Sequence, residues 1–175
     1  MRKLMDKRRK AIMKKLLLTL LSLCLVGCMF NASKQRTEKY IFPITTDDEI
    51  WKTLNQNEKI EETQIPDDIL SALTSESLLE TILDYPLISN LFSYSTMELG
   101  FEKVSEQFNG INEFRQREDA GKVVLEKLSK MIEDENRDEL DFMVLSFLLQ
   151  QAEIKSQIEE DEFKKVEKEL AQFHS

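Results

Sequence analysis

Apolar residues along this chain recur at helical spacing and almost never alternate. From Met97, the residues Phe101, Val104 and Phe108 follow at steps of four, three and four, which lines one side of a helix. The same period places Leu78, Leu79, Ile82 and Leu83 on one face, and Val123, Val124, Leu128 and Met131 on another. Phe142, Leu145, Leu148, Leu149 and Ala152 mark a helix apolar enough to be central, and Phe163, Val166, Leu170 and Phe173 mark the last. Ile50, Trp51 and Leu54 form the first stripe, followed by Ile60. Shorter turns are predicted around Ile69, Leu70 and Leu73, over Leu87–Phe92, and at Ile111 and Phe114.

Boundary residues agree with this period. Thr46-Asp47-Asp48-Glu49 and Ser95-Thr96-Met97-Glu98 have the form of capping boxes. Pro66 suits a first helical turn, Thr74 or Ser75 an N-cap, and Asp119 another. Pro86 ends the helix before it, because the residue preceding a proline is pushed toward extended geometry. Asn109-Gly110 reads as a left-handed C-cap, and Glu133–Asp138 as a charged turn. Glu160/Lys164 and Asp161/Lys165 support the exposed face of the last helix. The expectation is an all-α domain, a compact bundle of about seven or eight short helices, with a small stack of helical hairpins as the alternative. No repeat of 30–45 residues supports a solenoid.

The pattern changes character at the amino end. Residues 1–15 carry eight basic residues against Asp6, and 16–26 read LLLTLLSLCLV without interruption. A basic stretch, a short apolar run and a small residue at the cut site make a secretory signal. Crossing a bilayer takes about 20 apolar residues, more than this run supplies. Leu25-Val26-Gly27-Cys28 then closes the run as a lipobox. Gly27 is small enough for a peptidase that cuts before a modified cysteine, and the Cys28 thiol accepts the diacylglycerol thioether. Cys24 lacks a small residue before it and is expected only to pack. Met13 opens MKKLLLTLLSLCLVGC, a complete signal by itself. The expected organisation is a signal peptide over 1–27, a tether over 28–40 and an acidic helical domain over 41–175. The expected location is the outer face of a bacterial membrane, in the cell envelope, with the lipid on Cys28 as the membrane contact.

Charge sharpens this division. The chain carries −9 overall; the first 27 residues hold +7 and residues 28–40 hold +2, leaving −18 for 41–175. A domain so acidic is not built for nucleic acid, whose phosphates need lysine and arginine. It is repelled by anionic headgroups and stays soluble, unless a basic partner or a loosely held cation engages it.

Catalytic motifs are sparse. The single histidine, His174, is the penultimate residue, where nothing can orient it as a base or ligand. Four glycines, at 27, 100, 110 and 121, exclude GxGxxG, GxxxxGK[ST] and GxSxG. Cys24 and Cys28 are the only cysteines, so a lipidated mature chain has no disulfide and no free thiol, and zinc has no ligand set. No D-x-[DN]-x-[DN]-G calcium loop occurs, and no cofactor motif is present. Paired acids at Asp47/Asp48, Asp67/Asp68, Glu118/Asp119 and 159–162 fit helix starts and solvated linkers first, and the two carboxylates of a small hydrolase or wall-modifying enzyme second. Trp51 and Phe92 fit the core first; the second reading is a partner-binding surface formed by Trp51, Tyr85, Pro86, Phe92 and Tyr94, since tyrosine and tryptophan bring contact area at low entropic cost.

The segments Glu49-Ile50-Trp51, Gln64-Ile65-Pro66, Leu83-Asp84-Tyr85-Pro86-Leu87, Gly100-Phe101, Phe108-Asn109-Gly110 and Asp119-Ala120-Gly121-Lys122 resemble a group of uncharacterised exported proteins of clostridia-like and related bacteria. The resemblance spans roughly 47–130 and implies export and a helical fold, with no chemistry. The lipobox, the helical pattern and the empty search for catalytic motifs give the expectation of a lipid-anchored, non-enzymatic binding domain for another exported protein, a wall component or a ligand.

Overall fold

A computed structural model describes residues 35–173 of the chain. Contacts divide the chain into two units, Met1–Gln35 and Arg36–Ser175. The predicted signal, Gly27 and Cys28 lie outside the described residues, as does His174.

The second unit is all-helical. Nine α-helices occur among the described residues: α1 Gln56–Glu62, α2 Asp67–Leu70, α3 Ser75–Leu83, α4 Met97–Gln107, α5 Asn109–Arg115, α6 Ala120–Ile132, α7 Glu139–Gln150, α8 Ala152–Lys155 and α9 Glu160–Phe173. Two 3-10 helices, Glu49–Lys52 and Ile88–Ser93, complete the set. No strand ladder forms among the described residues; the only bridge pairs Arg36 with Leu73.

Helix α3 is the hub. Seven of its residues, Ser75, Ser77, Leu78, Leu79, Thr81, Ile82 and Leu83, are buried, so it is covered on nearly every side, principally by α5 and α6. Its three buried hydroxyls cost little, because Ser75 donates to Asp119 Oδ1 at 2.5 Å, Thr81 donates to Ser77 O at 2.7 Å and Thr74 donates to Ser77 Oγ at 2.9 Å. Helix α6 in turn packs on α7, α8 and α9. At the far end, α4 lies against the 3-10 helix Ile88–Ser93. An aromatic knot of Phe42, Tyr85 and Phe108 closes the core, with Tyr85 and Phe108 stacked at 4.0 Å.

Polar side chains splice distant segments. Gln64 Nε2 donates to Gln107 O at 3.0 Å, and Gln64 Oε1 accepts from Asn109 N at 3.0 Å. Asn109 answers in kind: its Oδ1 accepts from Ile65 N at 3.1 Å and its Nδ2 donates to Ile65 O at 2.7 Å. Arg117 donates to Leu73 O and Leu70 O, at 2.7 and 3.0 Å, and so satisfies carbonyls at and beyond the end of α2.

Several local expectations are corrected. Residues 46–49 do not cap an α-helix: Asp48 folds back to accept from Thr45 N and Oγ1, a 3-10 helix follows, and Ile50 stays exposed. Thr96, not Ser95, caps α4, because its hydroxyl reaches Leu99 N at 3.2 Å; Met97 thereby leaves the apolar stripe and is 42% exposed. Asn109-Gly110 is no C-cap. No described residue has positive φ, Phe108 alone makes the extended break (φ −114°, ψ 118°), and Asn109 starts α5. Gly110 serves close packing instead, since a Cβ there would sit 2.5 Å from the Phe108 ring. Asp119 occupies the N-cap of α6 but spends its carboxylate on Ser75 Oγ, and Gln157 Oε1 takes Gly121 N at 2.9 Å. Ala152 is exposed, because Gln151 turns extended (ψ 134°) and restarts the chain as α8, a turn the sequence reading missed.

The boundary of the folded unit moves as well. Residues 36–42, assigned mostly to the tether, run along α3 as a strap. Arg36 N donates to Ala72 O and Arg36 O accepts from Thr74 N. Lys39 pairs with Asp84, Tyr40 N donates to Thr81 Oγ1 at 2.9 Å, and Phe42 is buried in the aromatic knot.

Candidate functional site

The expected aromatic surface is not one surface. Trp51 is buried beneath Lys59, whose ammonium lies 5.0 Å from the ring centroid. Tyr85 is 2% exposed and belongs to the core. Its phenol faces Thr63 without a well-formed hydrogen bond, and burial raises its pKa. Pro86 is half-buried. Phe92 and Tyr94 alone reach solvent, at 55% and 38% exposure. The reason is register: residues 83–91 carry the chain across the end of α3, so their large side chains fill that end, and the 3-10 helix releases outward only after Leu91.

Exposed apolar residues nonetheless gather where that segment ends. Phe92, Tyr94, Met97 and Leu99 fall within eight residues, whereas Ile41 and Ile50 are the other large exposed hydrophobics among the described residues. Met97 opens onto a groove of about 590 Å³ between α4 and α7, walled by Met97, Glu98 and Arg137 and, from α7, by Glu139, Met143, Ser146 and Phe147 with Phe142 beneath. On α7 these residues stand at i, i+3, i+4, i+7 and i+8, one helical stripe that α4 covers only in part. Phe147 stacks on Phe101 at 5.4 Å, which fixes the distance between the two walls. Arg137 is held by Glu139 at 3.3 Å and lies over the Phe142 ring at 4.8 Å. The periodicity of α7 was legible in the sequence, but its uncovered side was not.

A second feature joins carboxylates that the sequence keeps apart. Asp141 in the first turn of α7 is half-buried, and its pKa is pushed up to about 6. Burial is the main cause, followed by Asp138; Glu80 of α3 and Asp84 just past its end add to it, and Lys127 of α6 opposes it. Lys127 pairs with Glu80 at 2.7 Å, and Lys39 of the strap with Asp84. Of the acid pairs singled out from sequence, Asp47/Asp48, Asp67/Asp68, Glu118/Asp119 and 159–162 are all exposed. Among the described residues, no group of three or more His, Cys, Asp and Glu side chains is poised to hold a metal.

Asp141 sets a pH dependence with a definite sign. Its folded pKa lies above the ordinary 3.8, so the folded state binds the proton more tightly and ionisation opposes folding. Its contribution therefore falls as pH rises from 3.8 to about 6, and the penalty persists above that. Solvent reaching this half-buried group reduces the effect to about 1 kcal/mol. Asp141→Asn should stabilise by roughly that amount at pH 8 and change little at pH 4. Urea titrations of both proteins at the two pH values check it, and equal differences at both would contradict the assignment.

The fold thus defines the class only as an all-α helical bundle domain. No family model, curated protein or solved structure matches the chain.

Proposed function

We propose that this chain is a lipid-anchored cell-envelope protein whose acidic helical domain works by binding a partner and not by catalysis. The observation that carries this reading is the lipobox Leu25-Val26-Gly27-Cys28 closing a basic-then-apolar segment. Two acyl chains on one cysteine hold a protein to a bilayer nearly permanently, at about 0.8 kcal/mol per buried methylene. The strap supports the same reading. Between Cys28 and the pinned Arg36 the backbone spans at most about 28 Å, which keeps the domain within reach of the headgroups. No helix among the described residues is long and apolar enough to cross a membrane. The exposed apolar stretch 92–99 and its groove supply a surface for a partner.

The test is Cys28→Ser. Cells fed an alkynyl palmitate should label the native chain and leave the variant unlabelled, and the variant should move from the membrane pellet to the soluble or secreted fraction. A variant that stays membrane-bound while the native chain takes up no label overturns the reading.

One observation favours a second reading, a small hydrolase or wall-modifying enzyme using paired carboxylates: burial and Asp138 raise the pKa of Asp141, as a general acid requires. It predicts turnover in a panel of glycoside and peptide substrates that Asp141→Asn abolishes and Asp67→Asn preserves.

A further inference from the structure

We infer that the groove between α4 and α7 receives one amphipathic helix with a basic face, contributed by another protein of the envelope. This rests on the binding reading above and names the partner's chemistry.

Shape gives the first part of the argument. The open side of α7 presents Glu139, Met143 and Phe147 at successive turns, with α4 beside it through Met97 and Glu98. The i, i+4 spacing on α7, flanked by the first turn of α4, presents ridges and grooves to an incoming helix, the geometry by which amphipathic helices dock. The lining favours such a guest. Two methionines adapt to a range of apolar shapes, and Phe142 with Phe147 gives a firm floor.

Charge selects among possible guests. Glu98, Glu139 and Arg137 line the trough; Arg137 pairs with Glu139 and lies over the Phe142 ring, so the charge of Glu98 is left in excess. The rim is therefore net acidic, on a domain whose residues 41–175 carry −18 within a chain of −9. A second copy of this chain and an anionic bilayer would both meet like charge. A helix with lysine or arginine beside its apolar stripe meets opposite charge, and its approach is steered by the field of the whole domain.

The experiment uses the full-length chain in zwitterionic nanodiscs, with empty nanodiscs as the blank. The probe is an 18-residue fluorescent helix of leucine and lysine, compared with its leucine and glutamate counterpart. The lysine probe should bind and the glutamate probe should not. A Glu98→Lys/Glu139→Lys pair should weaken the lysine probe by about tenfold or more. An Asp67→Lys/Asp68→Lys pair on α2 changes net charge equally and should weaken it less than about twofold, since only the first pair removes local complementarity. Met143→Ser should weaken it as well, and circular dichroism confirms that each variant stays helical. Equal losses from the two charge pairs, or equal binding of the two probes, would overturn the proposal. So would sedimentation showing a dimer that the groove variants dissolve. A photo-crosslinking residue at Met97 in intact cells separates this claim from the one beneath it. A discrete protein adduct there, with no groove dependence of the lysine probe, would sink the basic helix and leave the binding domain standing.

Discussion

Gly100→Ala should destabilise this protein by about 3 kcal/mol or more, although alanine is the better helix former by about 1 kcal/mol. Gly100 lies in α4, where that helix rests on the 3-10 helix. An added Cβ would come 1.9 Å from Leu91 O and 2.6 Å from Leu91 C. These are backbone atoms of a residue with no exposure, so no rotamer change relieves the overlap and the two helices must separate. The gain in helix propensity is smaller than the cost of opening a close-packed contact, which decides the sign. Gly121→Ala makes a useful comparison. Its Cβ would meet two side chains, of Ile158 and Gln157, and one carbonyl, all at 2.9–3.0 Å, so side-chain adjustment absorbs part of the strain. Urea midpoints should rank native, Gly121→Ala and Gly100→Ala in falling order. A Gly100→Ala protein as stable as the native chain would show that α4 does not sit as described.

Asn109→Ala is the second large effect, on the order of 3 kcal/mol. The substitution strands both the N–H and the C=O of Ile65, a residue 1% exposed, which Asn109 alone satisfies at 3.1 and 2.7 Å. Each unpaired buried group costs about 1–3 kcal/mol. Asn109→Asp keeps the acceptor and loses the donor, so it should fall between. Gln64→Ala removes the reciprocal half of the clasp, leaving Asn109 N and Gln107 O without that partner. Because the two amides share one junction, the double variant should cost less than the sum of the singles by about 1 kcal/mol, measured by a urea double-mutant cycle. Additive losses, or an Asn109→Ala cost below about 1 kcal/mol, would remove the clasp from the account.

How far the sequence could be read differs by element. The stripes of α6 and α9 were legible because one face of each meets a core, and period 3.6 is the direct imprint of that contact. Thr74 as the cap of α3 and Pro86 after its end were legible for the same local reason. The boundaries that failed are those where a side chain had two offers. Asp119, Asn109 and Asp48 are all good cap or turn formers, and each found its partner as the fold dictated: Ser75 and Ile65 far along the chain, Thr45 three residues back. Gly110 looked like a turn glycine, but it is small because the Phe108 ring fills the space.

The candidate sites divide along the same line. The lipobox is a linear signal, read by enzymes that meet an extended chain, so residues 25–28 suffice to propose it. The aromatic cluster was found by composition, which cannot tell Tyr85 in the core from Tyr94 on the surface. The Asp141 cluster was invisible because its charges come from α3, α6, α7 and the strap.

The sequence by itself determined that this chain is helical, acidic beyond its first segment and headed by a basic-then-apolar run closing in Leu25-Val26-Gly27-Cys28, the pattern on which the lipid anchor is proposed. Each of those follows from spacing or charge that neighbouring residues carry alone. Tertiary structure decided which side of α7 stays open, which aromatics are sealed, where the folded unit begins and which carboxylate has its pKa raised, because those depend on what distant helices place beside a residue.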